Sequence, residues 1–194
     1  MLGTESIVYG LATVCALVFL VAISLWAGLR IAYHLTSLHF GPWISNWATG
    51  AASANPWLRA HVALKGLMAL NASEAVYFTA TKDDEGISLN GQCCYLLEGK
   101  PLPSAWWSLT VYGNDLFLIP NEAERFSFCG ESVRPEPDGS FRIYLSPRPV
   151  GENWLPSGGE SRLTLTMRYY RPAFGGINSL RKGQLPRIKR LQNQ

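Results

Sequence analysis

Residues 7–29 of this 194-residue chain, IVYGLATVCALVFLVAISLWAGL, contain no charged side chain. No other feature limits the fold so strongly. A helix of that length rises roughly 34 Å, enough to cross a hydrocarbon layer of about 30 Å. The core helix of a soluble domain would carry a polar stripe, and this one is apolar all round. A cleaved secretory leader normally opens on a basic segment and has a shorter apolar run, whereas MLGTES holds only Glu5. Ala22-Ile23-Ser24 is a weak cleavage signal. Residues 1–30 therefore read as a retained single-pass anchor, with the lipid bilayer as its partner.

The basic residues nearest the anchor are Arg30, Arg59 and Lys65, all on its C-terminal side. Taken literally, the positive-inside rule places the rest of the chain in the cytoplasm, on the strength of one juxtamembrane arginine. Charge is also divided along the chain. Residues 1–160 hold 9 Lys/Arg and 14 Asp/Glu, while residues 161–194 hold 8 Lys/Arg and no acid. A basic tail over residues 177–194, with Arg181, Lys182, Arg187, Lys189 and Arg190, suits an anionic surface beside the anchor. Nucleic-acid binding needs similar charge, but no reader fold accompanies it.

Residues 31–55 read as a juxtamembrane linker. Trp43 and Trp47 suit a headgroup belt, with packing on the domain as the alternative. Asn55-Pro56 reads as the N-cap and first residue of a helix whose core-facing stripe is Trp57, His61, Leu64 and Met68. From there the pattern has period two. Strands are expected at 75–81, 87–97 (with Asn90-Gly91 as a turn or bulge), 105–112, 141–145 and 162–170. The last puts Leu163, Leu165, Met167 and Tyr169 inward. Short strands between Gly/Pro turns predict a mainly β domain over residues 56–176. The expected fold is an antiparallel β-sandwich or jelly roll with one short helix. About 140 residues suffice for a sizeable core.

Chemistry is sparse. There is no phosphate loop, GxSxG elbow or HExxH pair. The histidines, His34, His39 and His61, lie outside the β-rich region. No cofactor or metal is implied. Asp83, Asp84, Glu85, Glu122 and Glu124 sit in turn-like stretches and read as solvated turns rather than a glycosidase pair. Cys129 with Cys93 or Cys94 would form a disulfide in an oxidising compartment; the alternative is free thiols. One constellation stands out: Trp106, Tyr112, Arg142, Tyr144, Asn153, Trp154, Arg168 and Tyr170, aromatic, Arg and Asn residues near strand ends. Such groups hold a sugar or an anionic headgroup by stacking and forked hydrogen bonds, and they also occur as ordinary cross-strand pairs.

The runs AWWSLTVYG (105–113), DGSFRIYLSP (138–147), ENWLP (152–156) and LTLTMRYYRP (163–172) resemble the domain-of-unknown-function family numbered 1214. GPW (41–43), NPWLRA (55–60), FTATKDDEGISLNGQCCYLLEG (78–99) and LPRIKRL (185–191) extend the likeness to nearly everything after residue 40. The resemblance implies a bacterial β-sandwich, exported or anchored at the inner membrane facing the periplasm. That opposes the orientation suggested by Arg30, and we follow it. A companion domain numbered 1254 has no counterpart here, and Cys94 stands where the family pattern has an acidic or polar residue. Three functions are expected in order. First is a non-enzymatic envelope protein binding a protein partner, glycan or lipid. Second is an accessory subunit of a membrane complex, and third a membrane-tethered carbohydrate-active or other hydrolase.

Overall fold

The computed structural model describes residues 3–46, 49–51, 53–64, 70–71, 73–173, 177–181 and 183–191. Trp47, Met68 and Lys182 lie outside the described residues. The N-terminal helix α1, Thr4–Thr36, is one unbroken element, and none of its most apolar window is buried within the protein. It is compatible with a membrane anchor or a signal sequence. Its end is chemically marked. The Thr36 and Ser37 hydroxyls donate back to the Ala32 and Tyr33 carbonyls at 2.8 and 2.6 Å, competing with helix continuation.

No linker follows. Strand β1, Ser37–Phe40, begins where α1 ends and pairs with β2, Trp43–Asn46, through a Gly41 turn at φ 65°. Residues 37–46 of the expected linker are therefore a hairpin built into the domain. Helix α2, Pro56–Leu64, starts as predicted: the Asn55 carboxamide oxygen accepts the Leu58 N–H at 2.9 Å, the N-cap bond. The stripe is corrected. Leu58 is the buried residue of α2, whereas Trp57 and Leu64 are exposed. His61 stacks on Tyr33 of α1 with ring centroids 4.3 Å apart.

The remaining strands are β3 (Ala75–Ala80), β4 (Cys94–Gly99), β5 (Ser104–Tyr112), β6 (Ser127–Cys129), β7 (Phe141–Ser146), β8 (Trp154–Pro156), β9 (Thr164–Pro172) and β10 (Arg187–Leu191). They form a six-stranded sheet, β1-β2-β3-β9-β5-β6, and a four-stranded sheet, β10-β4-β7-β8. The fold is mainly β with an added long helix. One expectation is too simple, because β7 and β8 run parallel. Another is shifted: of residues 87–97 only the second half is strand, since the Asn90-Gly91 turn breaks the pairing.

The inward residues of β9 are all buried, and they meet Trp107, Leu109 and Val111 of β5 and Phe78 and Ala80 of β3. From the other sheet come Tyr95, Leu97, Phe141, Ile143, Leu145, Leu155 and Ile188. Trp43 is no membrane-interface residue. It lies fully buried opposite Ala80, whose small side chain leaves room for the indole. The basic segment is not a free tail either. Arg187–Leu191 is an edge strand paired along its whole length with β4, and Ile188 is fully buried. All four cysteines are free thiols.

Candidate functional site

Period-two alternation gives each sheet one core face and one outer face. The eight aromatic, Arg and Asn candidates do not share a surface. Trp106, Tyr112, Arg168 and Tyr170 lie on the outer face of the six-stranded sheet. Arg142, Tyr144 and Trp154 lie on the outer face of the four-stranded one, with Asn153 at the start of β8. Which strand joins which sheet depends on pairings far apart in sequence, and local alternation carries no trace of them.

On the six-stranded sheet the register sets side chains in rows. Tyr77, Arg168 and Ser108 form one row, and Ala75, Tyr170 and Trp106 the next. The Arg168 guanidinium donates to Thr110 Oγ1 at 3.0 Å and to Tyr112 Oη at 2.6 Å, with its carbon 5.5 Å from the Tyr112 ring centroid. Two donors are thus engaged and the fork is held still. Trp106 and Tyr170 are in tilted contact at 5.2 Å, and Trp106 is 37% exposed. Tyr77 is a neighbour that the sequence reading missed. Its place on an outward position of β3 was the available signal.

This face also has a definite place relative to α1. Trp43 pairs with Ala80 and Ser37 with Asn46, so β1 enters at the end of the sheet where β3 begins. The Ala75–Tyr170–Trp106 row belongs to that end, and Tyr112 to the far one.

The four-stranded sheet carries a different arrangement. A cleft of about 400 Å³ is lined by Arg134, Glu136, Arg142, Tyr144, Glu152 and Asn153. Its charges are matched internally: Arg134 pairs with Glu152, and Arg142 approaches Glu136 at 3.9 Å. Asn153 is structural. Its oxygen accepts the Arg134 N–H at 2.8 Å, and its amide donates to the Arg134 and Arg142 carbonyls at 2.8 and 2.9 Å. Trp154 Nε1 donates to the Ser146 carbonyl at 3.0 Å, which fixes the indole between strands.

Of the basic cluster, Arg181 lies exposed ahead of β10, and Arg187, Lys189 and Arg190 are engaged within the domain. Arg187 pairs with Asp84 at 3.2 Å, Lys189 with Glu98, and Arg190 Nη2 lies 3.0 Å from Cys93 Sγ. The acidic turn is less solvated than its composition implies. Asp83 is buried, and its Oδ1 accepts the Glu85 and Ile87 N–H groups at 3.1 and 2.9 Å, shaping the loop around Gly86. Two thiols differ in character. Burial raises the Cys94 thiol despite a hydrogen bond with Ser146. At Cys129 slight burial is outweighed by hydrogen bonds from Ser132 and the neighbouring backbone, and the thiol is more acidic than usual.

No curated protein matches the chain. Among solved structures, it is similar to the VPA0106 protein from Vibrio parahaemolyticus, with a TM-score of 0.58 and 27% identity over 72% of this chain. It also aligns with an uncharacterized protein from Burkholderia cenocepacia at a TM-score of 0.46 and 18% identity, over 86% of this chain. The chain spans only 36% and 40% of those two proteins. A family model described as "Protein of unknown function (DUF1214)" matches residues 74–174, the segment from the start of β3 to just past β9. The chain belongs to that family.

Proposed function

We propose that the protein is a non-enzymatic component of a bacterial envelope, held on the inner membrane by α1 with its β-domain in the periplasm. In this reading the outer face of the six-stranded sheet binds an envelope glycan or lipid headgroup. The observation that carries it is the grouping on one face of Trp106, Tyr170 and Tyr77 toward the end of the sheet where α1 enters, with a pre-positioned Arg168 beside them whose guanidinium reaches along the sheet to Thr110 and Tyr112. An exposed indole offers a stacking surface to a sugar ring, and a fixed guanidinium suits a carboxylate or phosphate.

The cleft on the other sheet argues against a glycosidase. Its two carboxylates, Glu136 and Glu152, each face an arginine.

The test is a binding titration of the full chain in nanodiscs against soluble acidic oligosaccharides, and separately with anionic or neutral lipid in the disc. Arg168→Ala is expected to weaken binding about tenfold, equivalent to about 1.4 kcal/mol. Trp106→Ala should weaken it as well, while Tyr144→Ala on the opposite sheet should not. Equal effects from both sheets would sink the assignment. A reporter enzyme fused after residue 194 and active only in the periplasm tests the orientation; activity only in the cytoplasm would overturn it.

A further inference from the structure

We infer that α2 and the last turns of α1 form a collar lying in the headgroup layer of the bilayer, with Trp57 as its anchoring side chain. This rests on the reading of α1 as a membrane span. Its geometry comes from how α2 folds back on α1. A Cβ built on Gly28 would lie 3.0 Å from the Trp57 ring, so the indole is seated on the bare backbone of that glycine. His61 stacks on Tyr33 one turn further along. Two contacts thus hold α2 against the stretch of α1 where the uncharged run ends.

What the collar shows to its surroundings is apolar. Trp57 is 41% exposed, Leu64 74% and Leu35 81%. These groups continue the apolar surface of α1 instead of forming a separate patch on the β-domain. Along the chain, the charge of this segment has one sign. No Asp or Glu occurs between Glu5 and Glu74, while Arg30 and Arg59 flank the collar. Arg30 lies over the Trp26 ring at 4.6 Å, an aromatic–cation pair at the same level. An amphipathic indole, exposed aliphatic groups and arginines suit the layer between acyl chains and anionic headgroups. A soluble protein partner would be expected to meet some acidic residue on such a face.

The seat explains why α1 reaches the β-domain without a linker. Trp57 on Gly28 and His61 on Tyr33 brace the joint, so the sheet end carrying Trp106 and Tyr170 is held beside the bilayer.

The experiment uses the full chain in nanodiscs of mixed neutral and anionic lipid. Acyl chains are brominated either near the ester or deep in the layer, and tryptophan quenching is read. Three forms are compared: wild type, Trp57→Phe and Phe19→Trp. Shallow bromines are expected to quench a component that Trp57→Phe removes, and Phe19→Trp is expected to add a component quenched by deep bromines. Deep quenching in Phe19→Trp with unchanged shallow quenching in Trp57→Phe would overturn the collar and leave the anchor standing. Absence of deep quenching would overturn both. Shielding of Trp57 only in discs loaded with two chains would assign the face to a second copy and overturn the lipid contact.

Discussion

Trp43 Nε1 donates a hydrogen bond to the Pro186 carbonyl oxygen at 2.6 Å, in the buried core. The bond ties the hairpin that leaves α1 to the residue just before the last strand. Trp43→Phe keeps most of the apolar volume but leaves the Pro186 carbonyl buried without this donor. The expected cost is about 1–3 kcal/mol. Trp43→Ala adds a cavity and should cost about 3–5 kcal/mol. Denaturant unfolding of the detergent-solubilised chain checks both, and a cost within error for Trp43→Phe would show that the bond contributes nothing.

The same pair of residues shows where sequence reading reaches and where it stops. Strands β5 and β9 are legible because nine residues of alternation outweigh any local ambiguity, and Trp107, Leu109 and Val111 of one and Leu165, Met167 and Tyr169 of the other are buried. Strands β1, β2 and β10 have four, four and five residues, too few for a period to declare itself. Trp43 thus fits a headgroup belt as well as the domain core, and Ile188 reads as part of a basic tail, because the partners that bury them lie far along the chain. The candidate site failed in the same way. β5 pairs with β9 and β4 with β7, so Arg168 and Arg142 end on opposite outer faces. Asp83 shows the converse error. A carboxylate in a charged turn reads as solvated, and only the loop geometry reveals that it caps backbone N–H groups.

Because β10 is part of the sheet, shortening the chain should unfold it instead of only reducing its charge. A stop codon at Arg187 removes Ile188 from the core and exposes the hydrogen-bonding edge of β4. The shortened chain is expected to be degraded rapidly in limited proteolysis where the full chain resists. Lys189→Ala should cost only about 0.2–1 kcal/mol, since its pair with Glu98 is partly exposed and screened. A shortened chain that resists protease as well as the full chain would return this segment to the status of a tail.

The cysteines give a test of both redox state and local electrostatics. Alkylation of the native protein at neutral pH should modify Cys129 ahead of Cys94, because one thiol is more acidic than usual and the other less. Ser132→Ala removes the hydroxyl that lies 3.4 Å from Cys129 Sγ and should slow alkylation there while leaving Cys94 unchanged. Peptide mapping by mass spectrometry reads both sites, and Cys94 reacting first would contradict the assignment.

Asp138 makes a prediction about pH. Its Oδ1 accepts the Ser140 hydroxyl at 2.5 Å and the Ser140 N–H at 3.0 Å, and Lys100 lies 3.2 Å from Oδ2. These partners, Ser140 foremost, hold the carboxyl at about 2, below the ordinary 3.8. The folded state therefore favours the ionised form. Its contribution to stability is complete above about pH 4 and fades as the pH falls toward about 2, where the folded form also takes up the proton. Asp138→Asn should cost stability near neutrality and converge with wild type in that acid window. Titration of the carboxyl by NMR separates the causes: Ser140→Ala should raise its pKa more than Lys100→Ala, and the reverse order would make the lysine, not the turn, the dominant partner.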